Sequence, residues 1–358
     1  MPKIYENLIR PILFRMPTET AHEFGIEALK IGFGSKTVQN LVAKRFACES
    51  FGEIQRFALN FKNPLGIAAG FDKNGVVVSQ LAALGFGFVE VGTITFKPQK
   101  GNEKPRLFRL PDDCALINRL GFNNEGAAKV IERLKKIQPE CVLGINIGKN
   151  KDVPNEEAIE NYLQSFNLAS EVADYVAVNV SSPNTPNLRE LQKADNLENL
   201  LSALQNRNQE LLKKPLLVKI APDLSEAEIE AIVDISLKLN LSGIIAANTT
   251  IKRENLKTKI DETGGLSGKP LQNLSNEVIK KIYKYSKGKL PVVGVGGIFT
   301  AGDAFEKIAC GASLVQAYTG FVYQGFTFAR DINSGLARIL KEKGFNNLDE
   351  AVGHQNKV

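Results

Sequence analysis

Eight short runs of β-branched and apolar residues recur along the chain, most of them separated by segments whose apolar positions repeat at helical spacing. The runs cover residues 64–69, 87–92, 142–147, 175–180, 215–220, 243–248, 291–296 and 313–318. Helical spacing is clearest at residues 226–239 and 276–286. Strands of near-continuous hydrophobicity that alternate with helices are typical of a parallel sheet covered on both faces.

The number of strands indicates the architecture. Eight parallel strands close a (β/α)8 barrel, the TIM barrel of α/β proteins. An open doubly wound sheet is the alternative, and it usually carries G-x-G-x-x-G after its first strand. Residues 68–72 read Ala-Ala-Gly-Phe-Asp at that place. We therefore predict a (β/α)8 barrel.

Residues 1–55 precede the first strand and predict a small helical extension. Apolar residues at helical spacing share one face of its first segment: Tyr5, Leu8, Ile9 and Ile12. Pro11 must end or restart that helix, because proline has no backbone N–H. A second helix is predicted over residues 20–31, with Thr20 and Glu23 in capping-box spacing.

The chain is accordingly divided into three parts: the extension 1–55, a barrel over 56–340 and a C-terminal tail, 341–358. Residues 93–126 form a long connection inside the barrel, and loops of that length usually serve function or carry structure of their own. Residues 308–329 carry no formal charge, but they are too polar and too rich in glycine for lipid. We interpret them as a buried strand followed by a loop.

Composition is that of a soluble globular protein, with 43% hydrophobic and 23% charged residues among 358. The net charge of +6 is a mild, unclustered excess, so we expect no nucleic-acid binding. The four cysteines are too widely spaced for a disulfide scaffold or a zinc site. The two histidines lie near the termini, which excludes a histidine base in the barrel and a His-rich metal site. No secretory signal or N-terminal transmembrane anchor is expected.

Carboxamides, hydroxyls and two lysines collect at the carboxyl ends of the predicted strands, where the active site of a barrel lies. These residues are Lys73, Thr93, Asn146, Asn179, Ser181, Ser182, Asn184, Lys219, Asn248, Thr249 and Thr250, with Asn118 and Asn123 from the long connection. Carboxamides suit a heterocycle with alternating N–H and C=O groups. The lysines favour an anionic ligand or a developing negative charge, and the shortage of acids disfavours a glycosidase.

A glycine-rich run at residues 294–298, followed by Thr300-Ala301-Gly302-Asp303, predicts a phosphate site. Glycines let backbone N–H groups approach phosphate oxygens, and the loops after strands seven and eight are the usual barrel location. The alternative is a tight turn that needs glycine for packing. The neighbouring Tyr318-Thr319-Gly320 favours the phosphate site.

The two lysines are compatible with more than one kind of reaction. Lys73 and Lys219 could both be solvated rim charges, but Lys219 is bracketed by apolar strand residues. If it points into the barrel mouth, it must pair with an anion or lose its proton. It would then either steady the negative charge of a reduced flavin or form the Schiff base of an aldolase. A basic barrel that binds RNA or a membrane surface is the non-catalytic alternative.

Ser182 lies in a segment of turn formers, so an ordinary turn is one interpretation. As a base, a serine would need a proton relay, for which Thr185 is the nearest candidate.

Five motifs resemble the dihydroorotate dehydrogenase family. They are Asn-Val-Ser-Ser-Pro-Asn-Thr-Pro (179–186), Gly-Ile-Asn-Ile-Gly-Lys-Asn (144–150), Gly-Gly-Leu-Ser-Gly (264–268), Asn-Arg-Leu-Gly-Phe-Asn-Asn (118–124) and Val-Gly-Val-Gly-Gly-Ile (293–298). The resemblance runs over about residues 1–335. It is nearest to the quinone-dependent, membrane-associated class 2, because the helical extension is present and Ser182 stands where the soluble class has cysteine.

The resemblance implies oxidation of (S)-dihydroorotate to orotate in de novo pyrimidine biosynthesis, with one FMN per chain that ubiquinone or menaquinone reoxidises. Ser182 would remove the C5 proton, relayed through Thr185 and a water near Phe122, while hydride passes from C6 to flavin N5. The implied FMN site comprises Ala69, Gly70, Thr93, Asn146, Asn179, Lys219, Ala247, Gly268, Gly297, Tyr318 and Thr319. The implied substrate site comprises Lys73, Asn118, Arg119, Leu120, Gly121, Phe122, Asn123, Asn179, Asn184, Asn248 and Thr249.

The resemblance also implies a quinone site, with His22 and Arg109 at positions that contact quinone in the family. The N-terminal helices would form the mouth of a quinone tunnel lying on the membrane surface. Without the resemblance, His22 would be an ordinary histidine in the first turn of a helix. Ala247 departs from the family pattern, which commonly has Thr there, so a side-chain hydroxyl contact is absent. The expected location is the cytoplasmic side of a bacterial inner membrane, as a peripheral monomer.

Overall fold

The computed structural model describes residues 4–49, 51–254 and 256–356. In chain order its strands are β1 (Ile54–Arg56), β2 (Leu59–Phe61), β3 (Leu65–Ile67), β4 (Phe88–Ile94), β5 (Leu107–Leu110), β6 (Ala115–Asn118), β7 (Val142–Ile147), β8 (Tyr175–Asn179), β9 (Leu216–Ile220), β10 (Gly243–Ala246), β11 (Gly265–Gly268), β12 (Val292–Val295) and β13 (Leu314–Ala317). The barrel is closed and runs β3-β4-β7-β8-β9-β10-β12-β13, with β13 pairing back onto β3. These are the eight predicted strands, so the barrel is confirmed.

The helices are α1 (Arg10–Leu13), α2 (Thr18–Gly32), α3 (Lys36–Arg45), α4 (Val78–Ala83), α5 (Ala127–Leu134), α6 (Ala158–Ala169), α7 (Ala194–Glu210), α8 (Glu226–Lys238), α9 (Gln272–Ser286), α10 (Ala301–Ala309), α11 (Thr319–Gln324), α12 (Phe328–Glu342) and α13 (Leu348–Ala351). Two of them begin at capping boxes, in which the N-cap hydroxyl and the carboxylate three residues later satisfy each other's backbone N–H. Ser225 and Glu228 start α8 in this way, and Thr300 and Asp303 start α10.

The barrel strands are buried along their whole length, which explains their continuous hydrophobicity. Glycine is required where a ring crosses a neighbouring strand. A Cβ at Gly144 would overlap the ring of Tyr175, so the glycine on β7 lets the Tyr175 side chain lie inside the barrel. The antiparallel hairpin β1–β2 was not predicted; it contributes Ile54 and Phe61 to the core.

The extension is helical, as predicted, with one correction at the start of α2. A π-helical turn, Tyr5–Ile9, precedes α1, and Pro11 lies in the first turn of α1, where its missing N–H is no loss. The helix predicted over 20–31 is present in α2. The predicted capping box is wrong, because α2 begins directly after Pro17 and places Thr20 and Glu23 inside the helix.

The long connection carries structure of its own, because β5 and β6 pair with β11 in a three-stranded antiparallel sheet. The loop predicted at the end of 308–329 is wrong: β13 is followed by α11, a 3-10 turn (Gly325–Thr327) and the start of α12. The helices form because Phe321 and Phe328 bury their rings in the core, with centroids 6.3 Å apart. Within the described residues, no helix combines the length and apolarity needed to span a bilayer. The division into 1–55, 56–340 and 341–358 stays a prediction.

Candidate active site

A polar cavity lies at the carboxyl ends of the barrel strands and is walled on one side by the three-stranded sheet. Ten of the residues predicted to hold FMN line it: Ala69, Gly70, Thr93, Asn179, Lys219, Ala247, Gly268, Gly297, Tyr318 and Thr319. From the predicted substrate and catalytic set it contains Lys73, Asn118, Leu120, Phe122, Asn123, Asn184, Asn248, Thr249 and Ser182. Residues far apart in sequence therefore converge on one space.

Four of the residues predicted for the FMN, substrate and catalytic sites do not line this cavity. Asn146 is fully buried directly behind it, and its Oδ1 accepts from Thr93 Oγ1 at 2.5 Å. Thr185 is also buried. The Arg119 side chain turns outward to Glu262 and lies over the ring of Phe108, with Cζ 4.6 Å from the ring centroid. Gly121 has a φ of +69°, a backbone conformation that favours glycine, so the motif needs glycine there for the turn of the chain.

Carboxamides fix one another's orientation around the cavity. Asn179 Nδ2 donates to Thr93 Oγ1 at 2.9 Å, and Asn184 Nδ2 donates to Asn118 Oδ1 at 3.1 Å. Asn123 Oδ1 is buried and has no hydrogen-bond partner among the described residues. An unsatisfied buried acceptor is costly, so this oxygen indicates a donor supplied by a ligand or by water.

Ser182 stands just beyond the end of β8, with 6% of its surface exposed. Its Oγ accepts from the backbone N–H of Asn184 at 3.2 Å. Thr185 Oγ1 is buried and unpaired within the described chain, which leaves its hydroxyl free to bond a water or a second hydroxyl. Phe122, in the left-handed region at φ +53°, provides an apolar wall to the same cavity. The serine is thus held in a site largely closed to solvent.

Lys73 is one of the two lysines that line the cavity. Burial lowers the pKa of Lys73 to about 8, against the opposing effect of Glu19. Glu19 is itself held by Arg106, whose Nη2 lies 2.6 Å from the Glu19 carboxylate. Within the described residues, Lys73 forms no ion pair within 4.0 Å, so its ammonium remains available to an anionic ligand.

Sequence reasoning missed the floor of the cavity. Glu90 on β4 is fully buried and lies 3.3 Å from Lys219 Nζ, and Gln316 on β13 lines the cavity itself. A signal was available for Glu90: it is a charged residue inside an apolar strand, the pattern that singled out Lys219.

A second ion pair that was not predicted, Arg189 with Asp223, links three loops. Arg189 Nη1 lies 2.9 Å from Asp223 Oδ2, while its Nε donates to Ser181 O at 3.1 Å and its Nη2 to Thr249 O at 3.0 Å. The loops after β8, β9 and β10 are therefore joined next to the serine and the carboxamides. Nothing in a single sequence pairs residues so far apart.

Three observations indicate that the cavity could hold a flavin nucleotide. Gly296 and Gly297 have φ values of +119° and +75°, a conformation that exposes backbone to a phosphate after β12. Gln316 Oε1 is buried and unpaired among the described residues, which leaves an acceptor for a ring N–H. The lining carboxamides match alternating donors and acceptors. In the described part of the chain, no cluster of His, Cys, Asp and Glu could hold a metal ion.

A second, apolar cavity lies between the N-terminal helices and the barrel, and it contains both predicted quinone residues. His22 packs edge-on against Phe71, with ring centroids 5.2 Å apart. Burial, helped by the charge of Lys73, lowers the pKa of His22 to about 3, so this imidazole is neutral at physiological pH. Arg109 donates from Nη1 to Leu13 O at 2.8 Å and also bonds Met16 O.

Fold and site together define a (β/α)8-barrel enzyme, with a cavity of amides, hydroxyls and lysines at the strand ends and a second, apolar cavity beside it. A sequence model of the family described as dihydroorotate dehydrogenase matches residues 53–340. The chain belongs to the dihydroorotate dehydrogenase family, as the sequence motifs predicted.

Relatives and solved structures agree with this assignment. The chain is 50% identical to a "Dihydroorotate dehydrogenase (quinone)" of Gloeobacter violaceus, over 97% of this chain and 98% of the relative. It is 47% identical to the protein of the same name from Roseiflexus sp., over 97% of each. The crystal structure of DHODH from Eimeria tenella in complex with ferulenol superposes with a TM-score of 0.82 at 39% identity, covering 90% of this chain and 94% of that one.

Proposed function

We propose that the protein oxidises (S)-dihydroorotate to orotate and passes the two electrons through bound FMN to a quinone. The family membership and the relatives' shared name confirm the predicted reaction, enzyme class and acceptor type. The reaction belongs to pyrimidine biosynthesis. The observation that carries the assignment to this cavity is the convergence of Ser182, Lys73 and the carboxamides on one enclosed space.

The residues in place suit both the substrate and the flavin. Lys73 binds the substrate carboxylate, and the amides of Asn118, Asn184 and Asn248 hold the ring through its N–H and C=O groups. FMN, when bound, supplies the two-electron acceptor for the hydride that leaves C6. Gly268, Gly297 and Thr319 would hold its phosphate end, and Lys219 would face its ring. Ala247 contributes no hydroxyl, so only its backbone can hydrogen-bond to the cofactor.

Ser182 removes the proton from C5. As that proton leaves to Ser182 Oγ and hydride leaves C6, the C5–C6 single bond becomes the double bond of orotate. The backbone N–H of Asn184 donates to Ser182 Oγ, and the serine's own hydroxyl proton leaves through a water near Phe122 and the Thr185 hydroxyl, which has no hydrogen-bond partner among the described residues. Phe122 and the three-stranded sheet exclude bulk water from the reacting carbons. An aldolase is disfavoured, since Lys219 forms an ion pair with Glu90 and an ammonium has no lone pair for a Schiff base.

The apolar cavity takes the quinone. It is lined mainly by aliphatic and aromatic side chains, and its polar groups include neutral His22 and the cationic Arg109. The membrane surface is the source of the quinone, because large apolar side chains are exposed along the extension: Ile4, Leu8, Ile9, Ile12, Phe24, Ile31 and Leu41. Contact through these side chains would make the attachment peripheral, and the cytoplasmic side of a bacterial inner membrane stays a prediction. The expectation of a monomer stays a prediction.

An anaerobic absorbance spectrum before and after addition of dihydroorotate tests this function. We expect a flavin spectrum that bleaches on addition and recovers when a soluble quinone is supplied. A flavin spectrum that stays oxidised would refute the substrate, and recovery with dioxygen but not with quinone would refute the acceptor. Extraction and chromatography of the released flavin distinguishes FMN from FAD.

A further inference from the structure

Glu90 is a carboxylate enclosed at the centre of the barrel, below the active-site cavity. Its side chain is inaccessible to solvent and accepts hydrogen bonds from four different strands. The donors and their distances to the carboxylate are Asn146 Nδ2 (2.9 Å), Lys219 Nζ (3.3 Å), Tyr175 OH (3.0 Å) and Gln316 Nε2 (2.8 Å). A carboxylate is buried at this depth only when it is well paired, and here both oxygens are satisfied.

The first consequence concerns charge. Lys219 lines the cavity, and Glu90 lies beneath it as its ion-pair partner. For a group bound above them, Glu90 therefore offsets part of the positive charge of Lys219. Burial, together with the charge of Glu90, raises the pKa of Tyr175, so its phenol stays protonated and keeps donating to the carboxylate.

The second consequence concerns the direction of two amides. A carboxylate only accepts, so Asn146 and Gln316 must turn their NH2 groups towards Glu90 and their oxygens away from it. Asn146 Oδ1 then accepts from Thr93 Oγ1 at 2.5 Å, which aligns a hydroxyl of the cavity wall. Gln316 Oε1 is left buried and unpaired among the described residues, at a side chain that lines the cavity.

We propose that Glu90 is a positioning residue that sets the reduction potential of the bound flavin, by partly neutralising Lys219 and by orienting the Asn146 and Gln316 amides. This inference rests on the proposed FMN site. Glu90 does not line the cavity, so it acts through the three side chains it holds. The buried carboxylate keeps the potential lower than an unopposed Lys219 would set it, because reduction adds negative charge to the flavin and an unopposed cation favours that charge.

The test is the midpoint potential of FMN in the purified holoenzyme and in Glu90→Gln, measured by anaerobic spectrophotometric titration. Glutamine keeps the size of the side chain and removes the charge. We expect a positive shift, with the equilibrium constant for two-electron reduction raised at least about tenfold, which is about 30 mV. Lys219→Met should shift the potential in the opposite direction.

The matched control is Asp113→Asn, which removes another buried carboxylate. Asp113 accepts from the backbone N–H groups of Lys257 and Thr258, at 2.7 and 3.0 Å, and does not line the cavity. The midpoint potential of FMN in Asp113→Asn should equal that of the wild type. If Glu90 only stabilises the barrel, Glu90→Gln should lower the thermal stability and leave the midpoint potential of FMN unchanged. That result would overturn the proposal.

A second variant keeps the proposal testable if Glu90→Gln does not retain FMN. Tyr175→Phe removes one donor and preserves both charges of the ion pair. The less neutralised carboxylate should then lower the midpoint potential, and an unchanged value would overturn the inference. Failure of the proposed function would look different. In that case the wild-type protein would contain no FMN, or it would contain FMN that dihydroorotate does not bleach.

Discussion

Leu107 and Leu116, on the neighbouring strands β5 and β6, each line both the polar cavity of the barrel and the apolar cavity of the extension. Tyr318 also borders both spaces. The wall between the two sites is therefore one side chain thick and apolar. The two cavities therefore approach each other to within about one side chain. The two half-reactions should be separable by mutation, because each cavity also has residues that the other lacks.

Ala21→Phe should weaken the quinone half-reaction alone. Ala21 lines only the apolar cavity, so a larger side chain there takes up quinone space. We expect the KM for a soluble quinone to rise about tenfold, which is about 1.4 kcal/mol of binding. Stopped-flow reduction by dihydroorotate should stay at the wild-type rate. Ala43→Phe is the matched control, because Ala43 lies in the same extension but lines a different cavity. Equal effects of the two variants would contradict the assignment.

Ser182→Ala should retain FMN and lose most flavin reduction by dihydroorotate. General-base catalysis typically contributes about 10²–10⁴-fold, and the observed rate in stopped flow should fall by that order. Thr185→Val should slow the same step less, because it removes only a buried hydroxyl that has no hydrogen-bond partner among the described residues. Thr185→Ser restores a hydroxyl and is the control. An unchanged rate in Ser182→Ala would remove this residue from the base role.

The barrel was predictable because its strands are buried on both faces, so hydrophobicity alone marks all eight. The three-stranded sheet was not, since β5 is mostly half-buried and includes Arg109, while β11 is a Gly-Leu-Ser-Gly segment. Such strands are specified by pairing partners distant in sequence. β11 lies far along the chain from β6, and no local pattern connects them.

The cavity residues were predictable from motifs at the strand ends, but their supports were not. Lys219 and Glu90 are each a charge in an apolar strand, but a single sequence does not show that the two form a pair across the barrel. Arg189 and Asp223 act on backbone carbonyls of other loops, a role that leaves no trace in a single sequence.

Removal of the extension should separate the two half-reactions in the same direction as Ala21→Phe. The deletion should cover residues 1–49, so that Phe51 and the β1–β2 hairpin remain to cover the barrel. We expect quinone reduction to fall much more than flavin reduction, because the apolar cavity loses one wall and keeps its barrel side. Circular dichroism and retained FMN establish that the barrel is folded. Equal loss of both half-reactions in folded protein would count against a quinone role for the extension.

The pH profile of kcat/KM for dihydroorotate should fall above about pH 8. Lys73 has its pKa lowered to about 8 by burial, so in the free enzyme its ammonium is lost as pH rises through that value. The anionic substrate then loses its cationic partner, and KM rises. kcat/KM reports ionisations of the free enzyme, which makes it the appropriate measurement. Lys73→Arg should abolish this limb, since guanidinium stays charged. A limb that persists in Lys73→Arg would assign the ionisation to another group.

Ile31→Ser should weaken binding to lipid vesicles, while Leu212→Ser should not. Both side chains are 80% exposed, but Ile31 lies among the apolar residues of the extension and Leu212 follows α7, before β9 of the barrel. If the extension rests on the membrane, Ile31 enters the lipid interface and Leu212 stays in water. Loss of one buried aliphatic side chain is worth about 1.5–3 kcal/mol, so vesicle partitioning should fall at least about tenfold.

The measurement is co-sedimentation with vesicles of phosphatidylethanolamine and phosphatidylglycerol. Equal partitioning of the two variants would place the membrane contact elsewhere on the protein, and equal dihydroorotate-dependent bleaching in both would show that neither change disturbs the barrel.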